Sequence, residues 1–138
     1  MKYVMITGCS RGIGQATAQA FLAQGYHVIG TSTSGDIAID HPEIAAYPLR
    51  LDQPESVSAF IGQIQNLVQG QLVGVINNAA VLVELWDNPV VDMEQLQTTF
   101  AINVFGTVQL TEALLPLLSA NAHICLLYTS PSPRDKTV

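Results

Sequence analysis

Cysteine and basic residues are both scarce in this chain of 138 residues. Its two cysteines, Cys9 and Cys125, are too few for a disulfide framework, and their spacing matches no metal-binding pattern. Five Lys and Arg residues stand against eleven Asp and Glu residues, which gives a formal net charge of −6. A surface of that charge repels nucleic acids and anionic membranes. The composition therefore predicts neither of these partners and favours a reducing, cytoplasmic compartment.

Long apolar runs are missing as well. The most apolar late region is interrupted by Pro116, Asn121 and His123, so we expect no stretch to approach the length of a membrane span. The first apolar run begins at Tyr3 and is too short to be the hydrophobic core of a signal peptide. Because 49% of the residues are hydrophobic and only 12% are charged, we expect one well-buried domain.

A glycine-rich turn near the N-terminus is the most informative stretch. It follows a short apolar run, residues 3–6, and precedes residues with helical spacing, 15–22. Glycines let a backbone turn sharply and approach a ligand closely, and a helix that starts there directs free N–H groups and its positive dipole end into the turn. We therefore predict a site for the pyrophosphate of a dinucleotide. Its predicted contacts are Gly8, Ser10, Arg11, Gly12, Ile13 and Gly14.

The motif Thr-Gly-x-x-x-Gly-x-Gly at Thr7 to Gly14 is a variant of the dinucleotide fingerprint. It resembles the short-chain dehydrogenase/reductase family, and the resemblance extends from Lys2 to Ile124. After the predicted fourth strand, residues 72–76, the sequence Asn-Asn-Ala-Ala resembles the Asn-Asn-Ala-Gly motif of that family. The resemblance implies that Asn78, Ala79 and Ala80 lie along the adenosine ribose, with Ala80 in place of a glycine.

Asn103 lies within a long apolar helix predicted from Asp92 through Leu118. Asparagine is a poor helix former and is costly to bury without partners. One interpretation is an asparagine whose hydrogen bonds are satisfied by neighbours in a helix contact. The family resemblance implies the other, in which Asn103 belongs to a catalytic tetrad and the helix is distorted around it.

The end of the predicted second strand, residues 26–30, bears on cofactor choice. In dinucleotide folds an acidic side chain about 20 residues past the glycines binds the ribose 2′-hydroxyl of NAD. Ser32 or Thr33 holds that place here, and both are neutral. Hydroxyls can donate to a 2′-phosphate, and Arg11 can add positive charge, as basic residues at that loop position do in the family. We therefore expect NADP(H) rather than NAD(H).

Two residues compete for the position next to the adenine, close to the predicted third strand at residues 47–51. The family places an Asp there. An ungapped comparison assigns Arg50 to that position, whereas a two-residue deletion assigns Asp52. Asp52 is also predicted to cap the next helix, with Glu55 reaching back to complete a capping box. The preceding stretch, residues 35–47, contains His41-Pro42 and is expected to lack a long crossover helix.

These patterns together predict the front part of a Rossmann-like doubly wound parallel sheet over residues 1–124, truncated in a fifth strand that opens at Ala122. The resemblance implies hydride transfer between NADP(H) and a small-molecule carbonyl or alcohol, by a parent protein that is a homo-oligomer. The alternative is a non-catalytic dinucleotide-binding protein or redox sensor with the same fold.

The last residues depart from the family. The family continues with a catalytic Ser and then Tyr-x-x-x-Lys, whereas here Pro131 and Pro133 separate Tyr128 from Lys136 and exclude a helix between them. We therefore expect the 138-residue chain to be inactive. Cys125 to Asp135 resembles one reading frame of a transposase adaptor used in DNA library preparation. Residues 125–138 are accordingly predicted to be non-native, a natural disordered Pro/Ser tail being the alternative.

Overall fold

In the computed structural model, which describes residues 1–80 and 90–127, five parallel strands form one sheet. The strands are β1 (Tyr3–Ile6), β2 (His27–Ser32), β3 (Ile44–Pro48), β4 (Leu72–Asn77) and β5 (Leu118–Leu126). The α-helices are α1 (Gly12–Ala23), α2 (Pro54–Val68), α3 (Met93–Phe100) and α4 (Thr107–Leu114). A π-helical turn, Ala101–Gly106, joins α3 to α4, and a 3₁₀ turn, Leu115–Leu117, follows α4.

The central strand β1 is buried on both faces. Its side chains alternate, so that Val4 and Ile6 pack with α1 on one face, while Tyr3 and Met5 pack with α2 and α4 on the other. A strand covered on both sides needs a continuous apolar run, and β1 has one. Helices on both faces of a parallel sheet confirm the predicted Rossmann-like, doubly wound architecture.

The strand order is β3-β2-β1-β4-β5, so the chain changes direction across the sheet between β1 and β4. β1 pairs with β2 on one side and with β4 on the other. The loops that leave the carboxyl ends of these two strands therefore diverge and open a crevice between them. Ligands of open α/β sheets bind at such a point.

The third strand begins and ends earlier than its predicted span of 47–51. The N–H of Leu49 still donates to the Ser32 carbonyl at 2.9 Å, but the N–H of Arg50 donates to the Ser56 hydroxyl at 2.8 Å. This change of partner ends the ladder. The crossover before β3 contains no helix, as the His41-Pro42 pair predicts.

The predicted capping box at the start of α2 was wrong. Gln53 occupies the N-cap position, no side chain caps the helix, and Pro54 follows as its first residue. Because Asp52 lies one residue before the cap, its carboxylate cannot take the capping role, and it pairs with the Arg50 Nε at 3.6 Å instead.

The predicted long helix from Asp92 is divided into several parts. Asp92 does cap it, since its carboxylate accepts from the N–H groups of Glu94 and Gln95 at 2.9 and 3.2 Å. The α-helical hydrogen bonding is interrupted by the π-helical turn and stops at Leu114. Leu118, predicted in the helix, has an extended backbone and begins β5, which therefore starts four residues before Ala122.

Strand β5 extends past the predicted boundary at Ile124. Cys125 and Leu126 pair with Ile76 and Asn77 of β4. Residues 128–138, including Tyr128 and Lys136, lie outside the described part of the chain. The foreign origin of the tail therefore remains a prediction.

The helical stretch Met93–Leu117 is, by length and composition alone, long and apolar enough to cross a membrane. The expectation that no stretch approaches that length was wrong. The same composition occurs in helices that cover a sheet, and Leu110 and Leu114 are fully buried in the core with α2. The opposite flank of this stretch exposes apolar side chains, among them Phe105 and Val108.

A close backbone contact joins Leu51, in the loop that precedes α2, to Gly106 of the π-helical turn. A Cβ at Gly106 would overlap the carbonyl oxygen of Leu51, a group that the backbone holds in place. Gly106 is buried, whereas Gly62 in α2 faces open space. The two glycines therefore provide a matched pair of sites at which one methyl group can be added.

We predict that Gly106→Ala destabilises the fold and that Gly62→Ala does not. Alanine is favoured over glycine in a helix by about 1 kcal/mol, and Gly62→Ala should show that gain. At Gly106 overpacking of about 1–3 kcal/mol should exceed it. Urea unfolding followed by far-UV circular dichroism measures both. Equal midpoints for the two variants would show that the Leu51 contact does not constrain the fold.

Candidate functional site

A cleft of about 690 Å³ lies at the carboxyl ends of β1 to β4. It collects all but one of the predicted cofactor contacts: Gly8, Ser10, Arg11, Gly12, Ile13, Ser32, Thr33, Asp52, Asn78, Ala79 and Ala80. The exception is Gly14. The walls also contain residues that the sequence analysis did not select as contacts: Thr31, Leu49, Arg50, Leu51 and Ile102. Of these, Arg50 had been considered only as the rival of Asp52, and Ile102 could have been found as the neighbour of Asn103.

The three glycines of the turn serve different purposes. Gly8 and Gly12 have φ angles of 69° and 61°, in the left-handed region that other residues rarely adopt. A Cβ at Gly14 would overlap the carbonyl oxygen of Gly8. The absence of a side chain at Gly14 lets α1 pack against the turn. This packing buries Gly14, so it does not line the cleft.

The start of α1 is open to an anion. The N-cap residue Arg11 is extended and makes no capping hydrogen bond through its side chain, and the first turn of α1 contains no acidic residue. The first N–H groups of the helix are thus left without a side-chain acceptor beside the cleft. Together with the two left-handed glycines, these N–H groups suit a pyrophosphate at this place.

A set of hydrogen bonds ties the glycine turn to the end of β4. The Thr7 hydroxyl accepts from the N–H groups of Asn78 and Ala79, at 3.0 and 2.9 Å. In return, the Asn78 side-chain amide donates to the carbonyls of Thr7 and Gly8, at 3.2 and 3.0 Å. Thr7 was not among the predicted site residues, although its place in the Thr-Gly motif was a usable signal. These bonds hold the two sides of the cleft at a fixed separation.

The two hydroxyls at the end of β2 are not equivalent. Ser32 is buried, and its Oγ donates to the Asp36 carbonyl and accepts from the Gly35 N–H, both at 2.9 Å. Its proton is therefore used within the turn that follows β2. Thr33 is exposed and lines the cleft, so it is the better placed of the two to donate to a ligand.

Arg50 and Asp52, the two candidates for the position next to the adenine, both line the cleft just after β3. Their side chains are 52% and 29% exposed. An ion pair of this exposure, at 3.6 Å, contributes little to stability. Both side chains therefore remain available to a ligand.

Cys9 lies in the glycine turn but is not a reactive group. It is fully buried, and its thiol donates to the Ile6 carbonyl at 3.1 Å. Burial raises the pKa of the Cys9 thiol to about 11, although a hydrogen bond with the Thr31 backbone lowers it in part. The thiol therefore stays protonated at neutral pH, and Cys9 acts as a core residue against α1.

Asn103 lies in the π-helical turn and is half-buried. The helix is thus distorted at the position where the sequence analysis expected distortion. Widened turns of this kind are frequent at functional sites. Its neighbour Ile102 lines the cleft, whereas Asn103 itself is not among the lining residues. The catalytic role of Asn103 stays a prediction.

We predict that the Thr7 hydroxyl is needed for the shape of the cleft. Thr7→Val keeps the volume but leaves the N–H groups of Asn78 and Ala79 without an acceptor, which should cost about 1–3 kcal/mol. Thr7→Ser keeps the oxygen and is the matched control. Urea unfolding and calorimetric titration with 5′-AMP measure stability and nucleotide affinity. If both variants behave alike, the hydroxyl does not hold the cleft.

Comparison with known proteins places this geometry in context. The chain is 32% identical to dehydrogenase/reductase SDR family member 9 of Bos taurus over 123 residues, covering 85% of this chain and 39% of that protein. It is 32% identical to an NADPH-dependent 3-dehydrocapnine reductase of Ornithobacterium rhinotracheale over 128 residues, covering 88% and 44% respectively. The chain therefore spans less than half the length of these two curated relatives.

A solved structure shares the fold. The putative carbonyl reductase Sniffer of Caenorhabditis elegans superposes with a TM-score of 0.75 at 27% identity, over 83% of this chain and 52% of that one. The family model for short chain dehydrogenases matches residues 2–125. On this match, and with the glycine turn and the Asn78 loop placed at one cleft, the chain belongs to the short-chain dehydrogenase/reductase family.

Proposed function

We propose that this chain is the cofactor-binding part of an oxidoreductase that transfers hydride between NADP(H) and a small-molecule carbonyl or alcohol. One observation carries the proposal. At the end of β2 the cleft has a neutral, exposed hydroxyl, that of Thr33, and Arg11 lines the same cleft. This arrangement suits a ribose 2′-phosphate better than a 2′-hydroxyl.

Different residues of the cleft would bind different parts of the cofactor. The glycine turn and the open start of α1 would hold the pyrophosphate. Thr33 and Arg11 would meet the 2′-phosphate, and residues 78–80 would lie along the adenosine ribose. When bound, the nicotinamide ring supplies or accepts the hydride. The chain's own contribution is to orient the cofactor, and Asn103, in the turn that carries the cleft residue Ile102, would be a supporting group.

The names of similar proteins support this assignment. One relative is described as NADPH-dependent, and a structure described as NADPH-bound carbonyl reductase from chicken fatty liver has a TM-score of 0.73 at 25% identity, over 85% of this chain and 48% of that one. We further propose that the parent protein is a cytoplasmic homo-oligomer. The exposed apolar flank of the stretch Met93–Leu117 supports association, because large apolar surfaces are rarely left open to water.

We expect the 138-residue chain to bind NADPH more tightly than NADH. A charge-assisted contact is worth about 1.5–3 kcal/mol, which corresponds to roughly 10- to 160-fold in affinity. Thr33→Asp should reverse the preference by repelling the 2′-phosphate. Titration of the reduced cofactors, followed by their fluorescence, gives both dissociation constants.

Ser34→Asp is the control for this experiment. It adds the same charge one residue further on, at an exposed side chain outside the walls of the cleft. It should change the preference less than Thr33→Asp does. NADH binding as tight as NADPH binding in the unmodified chain would contradict the proposed cofactor preference.

We also expect the source DNA to encode a Ser and then Tyr-x-x-x-Lys in place of Cys125 to Val138. General acid–base catalysis contributes about 10²–10⁴-fold, so the 138-residue chain should show no NADPH oxidation with a panel of ketones and aldehydes. The protein expressed from the recovered locus should show it. A locus that encodes Cys125 to Val138 and then a stop codon would contradict the adaptor origin and favour the non-catalytic alternative.

A further inference from the structure

Positive charge is concentrated at the cleft. Residues 1–80 and 90–127 contain three Lys and Arg side chains, Lys2, Arg11 and Arg50. Two of these three, Arg11 and Arg50, line the cleft, although the chain as a whole carries a formal charge of −6. Such a local excess of positive charge raises the concentration of an anionic ligand at the cleft.

The backbone at Arg50 is fixed beside the end of β2. Ser32 pairs with Pro48 across the two strands, and the next N–H, that of Leu49, donates to the Ser32 carbonyl. The N–H of Arg50 itself is held by the Ser56 hydroxyl at 2.8 Å. Arg50 is therefore anchored close to the strand end that carries Thr33.

The Arg50 side chain is held much less firmly than its backbone. It is 52% exposed, and the ion pair that the structure shows for it is the 3.6 Å contact of its Nε with Asp52. Exposed pairs of this kind are nearly neutral in free energy. A ligand with a doubly charged phosphate can compete for the guanidinium, which is suited to bidentate phosphate contacts.

We propose that Arg50 is a second cationic contact for the 2′-phosphate, and that Asp52 restrains it when no phosphate is present. The proposal rests on the proposed function, because it assigns a further specificity-determining residue to the same site. It gives separate roles to the two residues that line this wall of the cleft. Arg50 attracts the phosphate, and Asp52 sets the strength of that attraction.

The test uses the adenosine half of each cofactor, 2′,5′-ADP for NADP(H) and 5′-AMP for NAD(H), titrated calorimetrically into the full 138-residue chain. The two nucleotides differ only in the 2′-phosphate, so the ratio of their affinities measures the contribution of that phosphate to binding. Arg50→Gln should lower the affinity for 2′,5′-ADP about tenfold and leave that for 5′-AMP within about twofold, since the lost contact is charge-assisted. Asp52→Asn should raise the affinity for 2′,5′-ADP because it releases Arg50.

Salt provides a second readout. The loss of affinity for 2′,5′-ADP that Arg50→Gln causes should shrink as the ionic strength rises from about 0.01 to about 0.15 M. Over that range the screening length falls from roughly 30 to roughly 8 Å. Far-UV circular dichroism checks that each variant is folded. Arg50 is suited to substitution because its side chain is half exposed and its backbone bond to Ser56 persists in the variant.

Arg11→Gln separates this inference from the proposed function. If Arg11→Gln removes the preference for 2′,5′-ADP while Arg50→Gln keeps it, the role of Arg50 is overturned and the proposed cofactor preference stands. If the unmodified chain binds the two nucleotides equally, the cofactor preference fails and the role of Arg50 fails with it. A preference that is lowered by both variants supports both proposals.

Discussion

The hydrogen bonds between Thr7 and Asn78 are the constraint on which the cleft depends. They join loops that leave two neighbouring strands, β1 and β4, at the point where the chain reverses its direction across the sheet. They add to the pairing of β1 with β4 and to the bond from the Thr7 N–H to the Ile76 carbonyl at 3.1 Å, and they extend that pairing into the two loops. A preorganised anion site needs this kind of support, because loose N–H groups would have to be ordered when the ligand binds.

The close approach of Gly14 to Gly8 serves the same end from within the turn. It brings the start of α1 to the cleft, while the contact of Gly106 with Leu51 brings the π-helical turn to the opposite wall. The cleft is therefore bounded by backbone contacts that tolerate no added methyl group. The Gly106 contact also links the wall that carries Arg50 to the π-helical turn that carries Asn103, so these two parts of the structure share one support.

The electrostatics of the site is local rather than global. A chain with a formal charge of −6 can still offer an anion site, because two of the three Lys and Arg side chains in residues 1–80 and 90–127 lie with the open helix start at one cleft. The negative charge elsewhere limits nonspecific binding of polyanions. Local hydrogen bonds also shape the cleft at the end of β2. The Ser32 hydroxyl stabilises the turn after this strand, and Thr33, in the same turn, lines the cleft.

Motif spacing and strand periodicity were enough to predict the parallel sheet and the glycine turn, whereas the Asn78 loop and the distortion around Asn103 were predicted from the family resemblance. The sheet and the turn depend on short-range rules, such as the left-handed geometry at Gly8 and Gly12 and the alternation of side chains along β1. The tertiary structure alone decided which hydroxyl at the end of β2 is available, where β3 ends, and that Asp52 pairs with Arg50 rather than capping α2. Those outcomes are competitions for hydrogen-bond and ion-pair partners among residues two to six positions apart, and the packing of the strand ends and of α2 decides which partner lies within reach. The sequence names the competitors, and only their positions in space decide which pairs form.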